Sequence, residues 1–176
     1  MKNKQRLGYG NRGMGLERYI EVANRTYLHR GIAVIKKIPT PVKVRRLDKL
    51  GKIKEGWFEK GELVDYLGAY DGKAVAFDAK STRVPRLPLE NIEEHQYNLL
   101  KNYHKQGGFS FLIVEFPLKH EIYLLNFKDL QYWWEQKENG RKSIPYSFFQ
   151  DNCKQVKSGQ GIALDYLTAL EIKENA

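Results

Sequence analysis

Cysteine is nearly absent: Cys153 is the only one among 176 residues. A single thiol excludes an internal disulfide and any Cys-rich zinc site, and it suits a reducing cytoplasm, the expected location. Long apolar runs are missing too. No stretch approaches the roughly 20 apolar residues that span a bilayer, the N-terminus lacks the apolar core of a signal peptide, and no long Lys/Arg-faced amphipathic helix is evident, so no membrane partner is expected. The histidines, His29, His95, His104 and His120, have no ligand spacing with one another or with Cys153. No Gly-rich phosphate loop is present, so ATP is not implied. Acidic residues are the scarcer charge: 21 Asp and Glu stand against 30 Lys and Arg, a net charge of +9. That imbalance favours a polyanionic partner, because neutralising phosphates releases condensed counterions.

What is present fits one domain over residues 16–176, preceded by an arm. Residues 1–15, "MKNKQRLGYGNRGMG", are Gly-rich and basic and read as a flexible arm, either solvated or ordered on a phosphate backbone through residues such as Arg12. Leu16, Ile20, Ala23 and Tyr27 then recur at helical spacing, with Gly31 as a stop. A strand pattern follows and is broken by Pro39 and Pro41. An insertion over about 40–62 carries seven basic residues between 43 and 62. Lys43, Arg45 and Arg46 precede a turn-like "DKLG", while Lys49, Lys52 and Lys54 lie in or after it. This predicts a protruding hairpin with one basic face and with Trp57 and Phe58 near its base. Asp48, Glu55, Glu59 and Glu62 share the stretch, and charge-rich hairpins are commonly just solvated.

"LVDYLGAY" and "KAVAFDAK" flank Asp71-Gly72, a hairpin signal. A loop, "RVPRLP", leads into a helix with Leu89, Ile92, Leu99 and Tyr103 inward and Gly107-Gly108 at its end. "FSFLIVEF" reads as a strand buried on both faces, "EIYLLNF" as another, and "KDLQYWWEQKENG" as a helix carrying Trp133 and Trp134. The order predicts a mixed α/β sheet with helices on its faces.

The second hairpin contains an oddity. A two-residue turn at Asp71-Gly72 pairs Tyr70 with Lys73, Leu67 with Ala76, and Asp65 with Asp78. Like charges paired across a ladder are destabilising; at ~5 Å and an effective dielectric of ~20 the repulsion is roughly 3 kcal/mol. Strand propensity spans only about 1 kcal/mol and cannot explain it. Lys80, on the same face as Asp78, offsets part of the repulsion, and a divalent cation between the carboxylates would offset more. Mg²⁺ suits such a cup, since it takes few carboxylates and keeps room for a substrate phosphate. A water beside Lys80 is then placed for in-line attack on a phosphodiester. An ordinary surface salt bridge is the competing explanation, and a bulge would shift the register by one. Glu17, on the first helix, matters only if that helix lies across the cup.

These residues sit in blocks that resemble the RecU-type Holliday junction resolvases: "NRGMGLERYIEVAN", "IKKIPTPVKV", "VDYLGAYDGKAVAFDAKST", "LPLENIEEHQ", "GRKSI" and "LDYL", in that order over about 11–170. The resemblance implies a restriction-endonuclease-like mixed central sheet flanked by helices, with the stalk of the family at about 40–62. It implies catalytic roles for Glu17, Asp65, Asp78 and Lys80, Mg²⁺ (with Mn²⁺ as a substitute) on Asp65 and Asp78, and a supporting role for Gln96. Phosphate contacts would come from Lys43, Arg45, Arg46, Lys49 and Lys52 on the stalk, with Arg12 and Arg83. The expected partners are four-way junction DNA, a second copy of the chain in a homodimer, and recombination proteins. Two departures stand out: Asp78 replaces the usual Glu, and Val64 replaces the superfamily's Pro before Asp65. The alternatives are a nuclease of the same core acting on other branched or linear DNA, and a catalytically inert junction-binding scaffold.

Overall fold

The structure is a computed structural model that describes residues 15–58 and 63–171. Arg12 and the rest of the arm before Gly15, and Glu59 and Glu62 of the stalk, lie outside the described residues. Helix α1 (Leu16–His29) forms where the spacing predicts it: Leu16, Ile20, Ala23 and Tyr27 are all buried, and Gly31 follows at φ 66°. A 3.6-residue period places these four on one stripe.

The central sheet has six strands in the order β1-β4-β5-β7-β8-β10, counting β1 (Ala33–Lys37), β4 (Tyr66–Tyr70), β5 (Lys73–Ser81), β7 (Phe109–Phe116), β8 (Glu121–Asn126) and β10 (Lys154–Gln155). β5 and β7 are parallel and the other neighbours antiparallel. Parallel neighbours need a long crossover. Here it runs through β6 (Arg86–Pro88), a 3-10 turn (Leu89–Asn91) and α2 (Glu94–Lys105). β7 is buried along nearly its whole length because it sits between β5 and β8 with helices over both faces.

Alternation divides the sheet into two cores. Phe77, Phe111 and Ile113 join Ile20 and Tyr27 of α1 and Tyr166 of α5 (Tyr166–Glu171) on one face. Ala76, Leu112 and Val114 join Tyr97 and Leu100 of α2, Leu130 of α3 (Phe127–Glu135) and Phe149 of α4 (Tyr146–Asn152) on the other. A short pair, β6 with β9 (Ser143–Pro145), closes the latter side. The inward face of α2 differs from the sequence expectation: Tyr97 and Leu100 are buried, whereas Leu99 and Tyr103 pack only partly against the core. Leu89 and Ile92 are buried but belong to the preceding 3-10 turn and its end. The α-helix proper starts at Glu94, and that later start rotates its inward stripe.

The stalk is a two-stranded ribbon, β2 (Val42–Leu47) with β3 (Ile53–Phe58). Its turn is tied by Asp48, whose Oδ1 accepts the backbone N–H groups of Leu50 (2.8 Å) and Lys52 (2.9 Å). β2 is exposed throughout, and among the described side chains none of the ribbon enters either buried core.

Candidate active site

The Asp71-Gly72 turn has φ 48° and 70°, both positive, as a two-residue hairpin turn with the right twist requires. The register follows: Tyr70 pairs with Lys73, Leu67 with Ala76 and Tyr66 with Phe77. The ladder stops there. Asp65, which the register places opposite Asp78, keeps its tie to the β1 side, accepting from the Ile38 N–H (2.8 Å), but its backbone pairing with Asp78 is replaced by a reciprocal side-chain arrangement. The backbone N–H of Asp65 donates to Asp78 Oδ1 (3.0 Å), and the backbone N–H of Ala79 donates to Asp65 Oδ2 (3.1 Å). Each carboxylate thus caps a backbone group beside the other, which ties both to the end of the hairpin.

Asp78 is fully buried and Lys80 is 15% exposed, with Lys80 Nζ 2.6 Å from Asp78 Oδ2. The contact is close, yet Oδ2 accepts no hydrogen bond of proper geometry. Buried acceptors are ordinarily satisfied, so an oxygen held only by a nearby cation stands out. Asp65 is raised to about 6, by burial first and then by the neighbouring Asp78 charge, with Lys80 pulling the other way. Burial thus crowds two carboxylates at one spot, and one of their oxygens accepts no hydrogen bond. Two hard oxygen donors, one without a hydrogen bond, fit a small hard dication such as Mg²⁺ or Mn²⁺. Among the described residues, no three His, Cys, Asp or Glu side chains converge closely enough to hold an ion without further ligands.

Gln96, in the first turn of α2, accepts from Lys80 Nζ through Oε1 (2.9 Å). Asp78, Lys80 and Gln96 therefore share the sheet face covered by α2. Glu17 lies on α1, over the opposite face. It is 58% exposed and forms an ion pair with Lys37, the last residue of β1. The Glu17 carboxylate raises the Lys37 ammonium, and Glu21 and Asp65 add smaller fields of the same sense. Lys37 is thus bonded to Glu17 and feels the charge of Asp65, a neighbour that residue types and spacing did not single out. Its only signal is its place in "IKKIPTP", a basic pair at a strand end.

The basic residues of the ribbon are spread out. Lys43 pairs across the ladder with Trp57, which is 54% exposed. Arg45 is ion-paired with Glu55 (2.9 Å), and Arg46 sits opposite Glu55 at a bulge. Lys49 and Lys52 lie in the exposed turn. Arg83 borders a shallow groove with Thr82, Val84, Pro85, Phe116, Leu118 and Lys119, just beyond the C-terminal end of β5.

A mixed α/β sheet whose central strand ends in a carboxylate pair beside a lysine has the layout expected of a phosphodiester-cutting nuclease core. The comparisons with known proteins narrow that class. The family model described as "RecU: Recombination protein U" matches residues 11–172, and the chain belongs to the RecU family. It is 42% identical over 93% of its length to a Holliday junction resolvase RecU of Pediococcus pentosaceus, covering 84% of that protein. Resolvases of the same description from a Geobacillus species and from Oenococcus oeni are each 38% identical, over 93% and 97% of this chain and 84% and 89% of theirs.

Proposed function

We propose that this chain is a Mg²⁺-dependent endonuclease that resolves four-way (Holliday) DNA junctions by paired symmetric nicks, leaving 5′-phosphate ends. The observation that carries the reading is the meeting of Asp65, Asp78 and Lys80 at one ladder end, in a chain so similar to named Holliday junction resolvases. Asp65 and Asp78 hold the ion. When bound, Mg²⁺ neutralises charge that develops on the phosphoryl oxygens. Lys80 orients the attacking water and shares in that neutralisation, and Gln96 keeps its ammonium in place. Glu17 assists from α1, with its Lys37 partner setting when its carboxylate is free.

The ribbon, as the stalk, enters the junction centre, where Lys43, Arg45, Arg46, Lys49 and Lys52 meet phosphates. Arg45 exchanges Glu55 for a phosphate there, an inexpensive trade because both side chains are exposed. Arg83 and, from the arm, Arg12 extend the backbone contacts. Two copies form a homodimer with one site each, which is how two strands are cut symmetrically. The protein acts in the cytoplasm beside recombination proteins. The chain is organised as arm 1–15 and nuclease domain 16–176, with the stalk inserted at about 40–62.

The test is cleavage of a synthetic four-way junction and a linear duplex of matching sequence in Mg²⁺. The intact protein nicks the junction in symmetric pairs and leaves the duplex uncut. A variant in which a short Gly-Ser linker replaces 43–57 keeps its melting temperature, since no described side chain of the ribbon enters either core, and loses the preference for junctions. Equal cutting of junction and duplex by the intact protein would favour a less selective nuclease. Junction binding without nicks in any divalent ion would make the protein an inert scaffold.

A further inference from the structure

We infer that Glu93 is a positioning residue for this site, acting on Lys80 through Gln96; the inference rests on the nuclease reading above. An ammonium has three donors and no directional preference of its own, so its position is set by its acceptors. Lys80 Nζ donates to one, Gln96 Oε1 at 2.9 Å, and stands in ion-pair contact with Asp78 Oδ2 at 2.6 Å. The Gln96 amide is two-ended. Turned over, it would present its NH₂ donors to the ammonium and repel it.

Glu93 prevents that turn. Its backbone N–H donates to the same Gln96 Oε1, at 3.1 Å, so two donors converge on one oxygen and only the carbonyl end satisfies both. The Glu93 carboxylate reaches back to the backbone N–H of Gln96, the reciprocal half of a capping box. Such a box ordinarily starts a helix and does no more. Here the side chain that completes it also holds the lysine of the cluster. Glu93 itself is 53% exposed, with His95 Nδ1 at 3.4 Å from its Oε2.

The local backbone allows a discriminating series. Glu93 has φ −75° and ψ 149°, and Ile92 before it has φ −107° and ψ 113°, so Glu93→Pro fits both and deletes the N–H donor. Glu93→Ala keeps the donor and removes the carboxylate; Glu93→Ser keeps the donor and restores a cap acceptor. Steady-state cleavage of a four-way junction in Mg²⁺ is measured for each variant, alone and with Gln96→Ala, alongside melting temperatures. We expect Glu93→Pro to lower kcat about tenfold with KM unchanged, since misplaced catalytic groups cost rate rather than binding. Glu93→Ser stays near wild type and Glu93→Ala falls between. In the Gln96→Ala background Glu93→Pro causes no further loss, as two members of one chain of contacts should behave. An unchanged kcat in Glu93→Pro overturns the inference, and so does an equal loss in both backgrounds, which marks Glu93 as a helix cap alone. Should Glu93→Pro fail to fold, a kcat for Glu93→Ala that Glu93→Ser does not restore overturns it equally. Failure of the wild type to cut would instead remove the nuclease reading itself.

Discussion

Asp65 and Asp78 are chemically identical and sit near the same lysine. The Asp65 carboxyl is pushed up to about 6 by burial and by Asp78. With no metal bound, the folded protein therefore holds an extra proton between the ordinary value of 3.8 and about 6. By linkage, this group's contribution to stability falls as pH rises through that window and stays lost above it. Asp65→Asn removes that cost. In EDTA at about pH 7.5 its melting temperature should exceed wild type by roughly 2–4 °C, the response of a chain this size to about 1 kcal/mol, and the gain should shrink near pH 5. Asp78→Asn should move the other way, because it strips the carboxylate from a largely buried lysine. Calorimetry of the two variants at both pH values decides it; shifts of the same sign would contradict this account of the pair. The proximity of these carboxylates was legible in the sequence, from one Asp-Gly turn and simple alternation. Their exchange of backbone N–H groups was not, since it depends on the ladder ending at Tyr66, and nothing in the residue types marks that end.

At the level of elements, β1 holds the edge of the sheet only because β4 carries a glycine. A Cβ at Gly68 would lie 2.1 Å from the Val34 carbonyl oxygen and 2.7 Å from Ile35 Cα, both backbone atoms that cannot swing aside. Gly68→Ala should force β1 away from β4 at a cost of roughly 3 kcal/mol, lowering the melting temperature by about 6–12 °C. A change within 2 °C would show that the strands separate more cheaply than the close approach implies. Because β4 also leads back to Asp65, this variant should weaken cleavage as well. The helices show where periodicity suffices and where it does not. In α1 the four apolar positions fall on one uninterrupted stripe, and the sequence pattern and the structure agree. In the crossover helix, Leu89 lies in a preceding 3-10 turn and Ile92 and Glu93 are extended, which breaks the phase before α2 begins, so extending one stripe from Leu89 selects Leu99 and Tyr103 in place of Tyr97 and Leu100.

On the scale of the whole molecule, a sheet covered on both faces supports a site at the end of its central strands. The two cores pack β5 from either side, so Asp78 and Lys80 stand on a well-supported strand while β2 of the ribbon is exposed. The surplus of basic residues, +9 over the chain, matches a polyanionic partner. No helix among the described residues is long and apolar enough to cross a membrane. In the proposed reaction the two aspartates act through a dication that they would hold together. The most direct test is the rate of four-way junction cleavage against Mg²⁺ concentration for wild type, Asp65→Asn and Asp78→Asn, with junction binding measured in parallel. The account predicts no nicks in EDTA, a saturating rise with Mg²⁺ for wild type, and intact binding without cleavage for Asp78→Asn. Undiminished cutting by wild type in EDTA, or by Asp78→Asn in Mg²⁺, would contradict it.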